Sequence, residues 1–180
     1  MSSEGAQDRA QPVAADDFRR ACGRFATGVT IASVVDPHGT PHGLTVNSFT
    51  SVSLDPPLVL VAVGHTASVM EAFREARFFA VNVLGAGQRE LADRFARKGQ
   101  DRFDGLAWHA GETGAPLLEE TLGEIECAMR YRFTAGDHDL LVGQAVRTEV
   151  RAGAPLVYFG GSYRKLAEGE SAGVSRSRID

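Results

Sequence analysis

The alternation of apolar and polar side chains is sharpest over residues 124–134. Ile125, Cys127, Met129, Tyr131 and Phe133 fall on one face, and Glu124, Glu126, Arg130 and Arg132 dominate the other. Period two with one apolar face predicts a half-buried strand. Ala135-Gly136-Asp137-His138 supplies a turn, so residues 139–150 are expected to return as its hairpin partner. Residues 42–53 also alternate, but Thr45, Asn47, Ser48, Thr50, Ser51 and Ser53 make them too polar for a plain core strand. Asp55-Pro56-Pro57 is a hard turn, because proline fixes φ and donates no backbone hydrogen bond. Residues 58–63 are apolar on both faces and read as a fully buried strand. Residues 29–35, 78–84 and 155–159 add further strands, the first closed by the turn Asp36-Pro37-His38-Gly39. A donor-rich strand thus lies beside the middle of the core, a surface suited to a flat polar ligand.

Helical spacing appears in three short segments. Phe18, Ala21, Cys22, Phe25 and Ala26 predict an amphipathic helix over residues 17–26, with Asp16 placed to cap it. Val69, Met70, Ala72 and Phe73 begin a second helix at Ser68-Val69-Met70-Glu71, which has the form of a capping box; Thr66 is an equally good cap. Free N–H groups and hydroxyls at such a start suit a phosphate, and they suit an ordinary capped helix too. Leu91, Ala92 and Phe95 mark a third helix after Gly85-Ala86-Gly87. Glu90 stands where a dinucleotide fingerprint needs its third glycine, and no repeated βαβ pattern surrounds it, so these glycines read as a tight strand-to-helix turn. Residues 99–116 form a long connection whose aromatics either close over a ligand or pin the loop to the core. About seven strands with hairpin-like links and two or three short helices predict an antiparallel barrel with helices outside. Residues 15–166 form its single domain, between polar tails at 1–14 and 167–180 read as flexible.

Composition narrows the function classes. With 180 residues, 43% hydrophobic and 23% charged, the chain is ordinary for one globular domain. A net charge of -4 and the lack of any basic run argue against a nucleic-acid partner. No stretch is long and apolar enough for a membrane span, and the N-terminus is not signal-like. Cys22 and Cys127 read as reduced core thiols of a cytoplasmic protein. None of the histidines, His38, His42, His65, His109 and His138, has metal-pair spacing. Asp137-His138-Asp139 reads as solvated turn chemistry, so no metal site is expected. There is no nucleophile motif and no P-loop, which fits chemistry carried by a bound molecule that the protein orients.

Several blocks, in this order, carry a family resemblance: Phe25-Ala26-Thr27-Gly28-Val29-Thr30; residues 43–53 running into Asp55-Pro56-Pro57-Leu58-Val59; Phe79-Ala80-Val81-Asn82-Val83-Leu84; Asp101-Arg102-Phe103; Gly136-Asp137-His138; and Tyr158-Phe159-Gly160-Gly161-Ser162-Tyr163-Arg164. The chain resembles the flavin reductase-like family, and within it the NAD(P)H:flavin oxidoreductase components of two-component flavin monooxygenases. That resemblance implies an FMN-binding split β-barrel, antiparallel and Greek-key-like, with short peripheral helices. It implies hydride transfer from NADH or NADPH to FMN or FAD, a homodimer, and a partner flavin-dependent monooxygenase that takes the reduced flavin. Carried over residue by residue, Val46, Asn47, Ser48, Phe49, Thr50 and Ser51 would hold the isoalloxazine and ribityl chain, flanked by Thr30. Ser53 and Ser68 would lie toward the phosphate, Arg102 and Phe103 would border the pocket, and Asp137 and His138 would position the nicotinamide near Tyr163. His138 is the catalytic candidate. Two features depart from the family: Val46 replaces a commonly small residue, and residues 64–67 lack the lysine or arginine of some relatives. The rival expectations are a flavoprotein of the same barrel that keeps its flavin as an oxidase, and a non-catalytic redox sensor or carrier.

Overall fold

A computed structural model of the chain describes residues 11–99 and 101–166. In chain order its elements are α1 (Ala15–Cys22), β1 (Thr27–Gly28), β2 (Thr30–Val35), β3 (Pro41–Val46), β4 (Thr50–Leu54), β5 (Pro57–Gly64) and α2 (Met70–Glu75). Then come β6 (Phe78–Val83), α3 (Arg89–Ala96), β7 (Trp108–Ala110), β8 (Pro116–Leu118), β9 (Gly123–Ala135), β10 (His138–Val150), β11 (Val157–Phe159) and β12 (Ser162–Arg164). The main sheet has seven antiparallel strands in the order β3-β2-β6-β9-β10-β5-β4.

Its two edge strands, β3 and β4, are neighbours in sequence, joined only by Asn47-Ser48-Phe49. Six strand spacings would separate the edges of a flat sheet by about 29 Å. The four links across that joint reach about 14 Å. The sheet must therefore roll until its edges approach, and the result is a barrel with a split between β3 and β4. Ser48 staples the closure: its Oγ accepts from the Ala62 N–H at 3.0 Å and donates to the Ala62 carbonyl at 3.1 Å.

The barrel interior is filled by Ala32, Val34, Val46, Val59, Val61, Val63, Phe79, Val81, Cys127 and Leu141, with Met70 and Phe73 of α2 packed into the same cluster. Gly143 belongs here because a Cβ at that position would be driven into the Phe79 ring. Outside the barrel, Ala92 and Phe95 of α3 join Val29, Ile31, Leu84, Phe103, Leu118 and Leu156 in a second cluster. The β7–β8 hairpin lies against β2 and β6, where the Ser33 hydroxyl donates to the Pro116 carbonyl at 2.6 Å and the Asn82 Oδ1 accepts the Leu118 N–H at 2.8 Å.

Several expectations need correction. The strand expected over 42–53 is two strands, broken at residues 47–49 where the chain crosses the split. In β5 only Val59, Val61 and Val63 are buried, since the outer face carrying Leu58, Leu60 and Ala62 is half-covered. The charged face of β9 is the buried one near its start. Glu126 is 1% exposed because the Glu112 and Thr113 N–H groups and the Thr113 hydroxyl donate to it, and Glu124 is satisfied by Thr121 and Arg151. Register shifts along the β9–β10 pair then leave Tyr131 and Phe133 more than half exposed on the outer surface. Helix α1 buries none of its residues, so Cys22 is exposed and only Cys127 is a core thiol. Neither α1 nor α2 has a side-chain cap, so Asp16, Thr66 and Ser68 do not serve as caps. Most of the two expected tails, residues 1–10 and 167–180, lie outside the described residues. No helix among the described residues is long and apolar enough to cross a membrane.

Candidate functional site at the split end of the barrel

Most of the candidate residues gather at one end of the barrel because strand register sends them there. β5 pairs with β10 so that Gly64 faces His138 and Ala62 faces Leu140. Ser48 is bound to Ala62, so the 47–49 joint stands within two residues of that rim. The segment after Gly64 then carries His65 and Ser68 toward α2. Thr30 and Val46 are directly opposite one another, both buried; the Thr30 hydroxyl donates to the Val46 carbonyl at 3.1 Å. These two form the floor under Asn47, with Val46 turned into the core rather than toward the rim.

Arg102 is the strongest electrostatic feature of this end. It is 7% exposed and no carboxylate reaches it among the described residues. Its Nε and Nη2 donate to the Arg97 carbonyl at 2.9 and 2.6 Å, Nη1 donates to the Gly43 carbonyl at 2.5 Å, and Nη2 donates to the Ser68 hydroxyl at 3.2 Å. Burial pulls its pKa below the ordinary arginine value. A desolvated cation paired only with carbonyls and a hydroxyl favours a nearby anion. It borders a cleft of about 240 Å³ with Thr40, His42, Val69 and Phe103. Phe103 is held edge-on between Phe95 and Trp108, at 5.0 and 5.6 Å, so the aromatics of the long connection do pin it to the core.

A second cleft, about 190 Å³, is lined by Val29, Thr45, Asn47, Ala96, Tyr158 and Tyr163. Asn47 is exposed there, and Tyr163 packs edge-on against Tyr158 at 5.5 Å with Arg89 over its ring at 5.9 Å. Burial raises the Tyr163 hydroxyl pKa, so it stays a neutral donor. Small-molecule sites commonly have about 300–1,000 Å³, so each cleft is a partial site within one protomer. Concavities of about 390 and 600 Å³ lie elsewhere, the first beside Asp36 and Phe78 and the second among charged side chains of α3 and the following loop.

The turn between β9 and β10 presents Asp137 and His138. His138 Nδ1 lies 2.7 Å from Asp137 Oδ1, and this hydrogen bond holds the Asp137 carboxyl below its ordinary pKa. An ionised carboxylate only accepts, so Nδ1 carries a proton toward Asp137, and Nε2 has no hydrogen-bond partner among the described residues. The next residue, Asp139, is not solvated turn chemistry. It is 6% exposed and accepts from His65 Nε2 at 2.8 Å, Arg74 Nε at 3.2 Å and the Thr134 hydroxyl at 3.0 Å. The hydrogen bond from His65 leads in pulling its pKa below the usual aspartate value. The His65 N–H also donates to the Asp137 carbonyl at 2.9 Å, which ties the two turns together. Sequence reasoning passed over Asp139, His65 and Arg74. The available signal was parity, since Asp139 shares a strand face with the core residue Leu141.

Not every candidate joins this rim. Thr50 faces Leu60, and Ser53 faces Leu58 at the far end of β5. Ser68 follows Gly64, at least six strand residues from Leu58, or about 20 Å. Ser53 thus lies beside the start of β5, and Ser68 on the segment that leaves its end. Thr50 and Ser51 are exposed on the edge strand, and Phe49 packs against the interior cluster instead. Among the described residues no cluster of His, Cys, Asp and Glu has the makings of a metal site.

The flavin reductase like domain matches residues 22–167. The chain is 45% identical over 150 residues to an NADH-dependent FMN reductase of Agrobacterium fabrum, covering 83% of this chain and 85% of that protein. It is 36% identical over 163 residues to the reductase component of a flavin-dependent trigonelline monooxygenase from Acinetobacter baylyi, covering 91% of this chain and 53% of that longer protein. The fold superposes with a TM-score of 0.81 on an NADH:FAD oxidoreductase of Streptomyces globisporus solved with NAD and FAD fragments. That match is 39% identical and covers 88% of this chain and 98% of the other.

Proposed function

Since the chain belongs to the flavin reductase-like family, we propose that it is an NADH:flavin oxidoreductase that supplies reduced FMN or FAD to a separate monooxygenase. The features that support this reading are a cleft walled by Asn47 and two tyrosines, a buried cation without a carboxylate partner beside Ser68, and an exposed imidazole on the β9–β10 turn. The donor set fits a flavin. Asn47 and the non-strand backbone of residues 47–49 offer groups for the edge of a polar ring, and Tyr158 and Tyr163 offer an aromatic wall. Arg102 and Ser68 offer a positive, hydroxyl-bearing end for a phosphate. A bound flavin would supply the two-electron acceptor for the hydride that NADH gives up in becoming NAD+.

The protein's own part is positional. His138 holds the nicotinamide carboxamide through its free Nε2, and Asp137 fixes which nitrogen carries the proton. Asp139 clamps His65 and so steadies the turn that carries His138. The small clefts of one protomer and the exposed Tyr131 and Phe133 on the outer face of β9 support a homodimer, in which a second copy completes each site.

The test is NADH oxidation by purified protein with FMN or FAD in large excess. Turnover that depends on free flavin is expected, and the relative rates rank the two flavins. His138→Ala should lower kcat/KM for NADH about 10- to 100-fold while leaving the flavin dissociation constant within about threefold. A yellow protein that keeps its flavin through gel filtration and shows no turnover would instead make it a flavin carrier or oxidase.

A further inference from the structure

Helix α1 contradicts the usual terms of helix stability. It has 8 residues, every one exposed, and no side-chain cap. Isolated helices shorter than about 12–15 residues are marginal in water, and α1 buries no residue against its own protomer. Its apolar stripe is well formed. Phe18, Ala21, Cys22 and Phe25 lie at i, i+3, i+4 and i+7, and the Phe25 N–H still donates to the Cys22 carbonyl at 3.0 Å. Phe18 is 59% exposed and Phe25 77%. The Gly160 N–H donates to the Gly23 carbonyl at 2.8 Å, so the base of the helix is anchored while its apolar side chains stay exposed.

The same chain has a second unpartnered apolar surface. Cross-strand register puts Phe133, Leu140 and Ala62 in one row and Tyr131, Val142 and Leu60 in the next, on the outer face of β9-β10-β5. Tyr131 and Phe133 stack at 6.0 Å and are 55% and 54% exposed. No described helix packs on these rows, whereas the opposite side of the barrel is covered by α3 and the β7–β8 hairpin. Arg130 sits beside them and meets only the Gln144 side chain, with no carboxylate partner among the described residues. Helix α1 carries Asp16 and Asp17 in its first turn, where they already pair with Arg19 and Arg20 of the same helix, so the seating rests on its apolar stripe.

We infer that α1 is an exchanged arm: in the dimer, each protomer's Phe18–Phe25 stripe seats on the partner's Tyr131–Phe133 face, whose two aromatic rings stay exposed beside the buried Val142 and the half-buried Leu140, Leu60 and Ala62. The inference rests on the homodimer of the preceding section and adds which element crosses. It makes α1 part of the assembly surface.

Cys22 makes the arm directly testable. It is exposed, and the only other thiol, Cys127, is buried, with burial first and the Glu126 charge second pushing its pKa up to about 12. Light scattering first fixes the mass of the wild-type protein; a monomer would remove the dimer reading itself. For a verified dimer, two chains are co-expressed with different tags. One keeps Cys22. The other carries Cys22→Ser together with Leu60→Cys, Tyr131→Cys or Phe133→Cys, each taken separately. A short bismaleimide should link the two tags for at least one of the three. No linkage at any position in a dimer, or linkage only between two Cys22 residues, overturns the inference. So does linkage within one chain that carries both Cys22 and Tyr131→Cys. As a second readout, Phe18→Ser with Phe25→Ser should raise the dimer dissociation constant by about tenfold or more, with the β-sheet circular dichroism retained. An unchanged constant would overturn it as well.

Discussion

Asp139 receives three side-chain donors on one buried carboxylate, and those donors come from three different elements of the rim. Its folded pKa is lowered, so the fold favours the ionised form. Such a group contributes stability that is fully present above the unfolded value, about 3.9, and is lost as pH falls through the lower folded value. Asn at this position keeps the shape but has no charge and turns an N–H₂ group toward His65 or Arg74. Asp139→Asn should therefore melt below the wild type at pH 7, and the gap between them should close progressively below about pH 4. Thermal melts across pH 3–8 measure this directly; a gap that stays constant with pH would show that the carboxylate charge does not matter. The same change loosens the link from His65 to the His138 turn. It should raise KM for NADH more than it raises the flavin dissociation constant.

At the scale of elements, the decisive joint is Asn47-Ser48-Phe49, where the chain crosses the split. Ser48 spends its hydroxyl on both backbone groups of Ala62, so it positions this joint before it can contact any ligand. Ser48→Ala leaves a half-buried N–H and carbonyl without that partner, a loss of about 1–3 kcal/mol. For a chain of this size that corresponds to a melting point lower by about 2–12 °C. Calorimetry would check it, and a variant as stable as the wild type would mean that water replaces the hydroxyl at no cost. This joint also shows where the sequence was legible. Residues 42–53 announced their polarity and the turn at Asp55-Pro56-Pro57, and the β9–β10 hairpin announced its turn. The break at 47–49 was hidden, because alternation continues through it and only closure of the barrel demands it. Glu124 and Glu126 were misread for a related reason. Period two separates two faces without saying which is covered, and the β7–β8 hairpin that supplies Glu126 with N–H donors is remote in sequence. Candidate site residues were legible mainly as a motif order. Their division between rim, core and far edge depended on strand register, which no local pattern encodes.

The whole molecule is lopsided. One side of the barrel is packed beneath α3 and the β7–β8 hairpin, and the other exposes Tyr131 and Phe133 to solvent. A stacked, exposed aromatic pair set among half-buried apolar neighbours marks an association surface. One protomer offers only partial clefts of about 190 and 240 Å³, which one flavin together with one nicotinamide would overfill. Both features have the same remedy, a second copy that covers the rows and deepens the site. If so, activity is a property of the dimer and should depend on protein concentration once the interface is weakened. Tyr131→Asp places a charge in the centre of the rows while leaving the interior cluster untouched. Loss of an interface hot spot of about 2 kcal/mol raises a dimer dissociation constant about thirtyfold. The variant should shift toward the 19.2 kDa monomer on dilution, and its specific NADH oxidation should fall along the same concentration curve. Light scattering and steady-state rates over one dilution series measure both. Full specific activity in a demonstrated monomer would show that each protomer builds its site alone and that the apolar rows serve another partner.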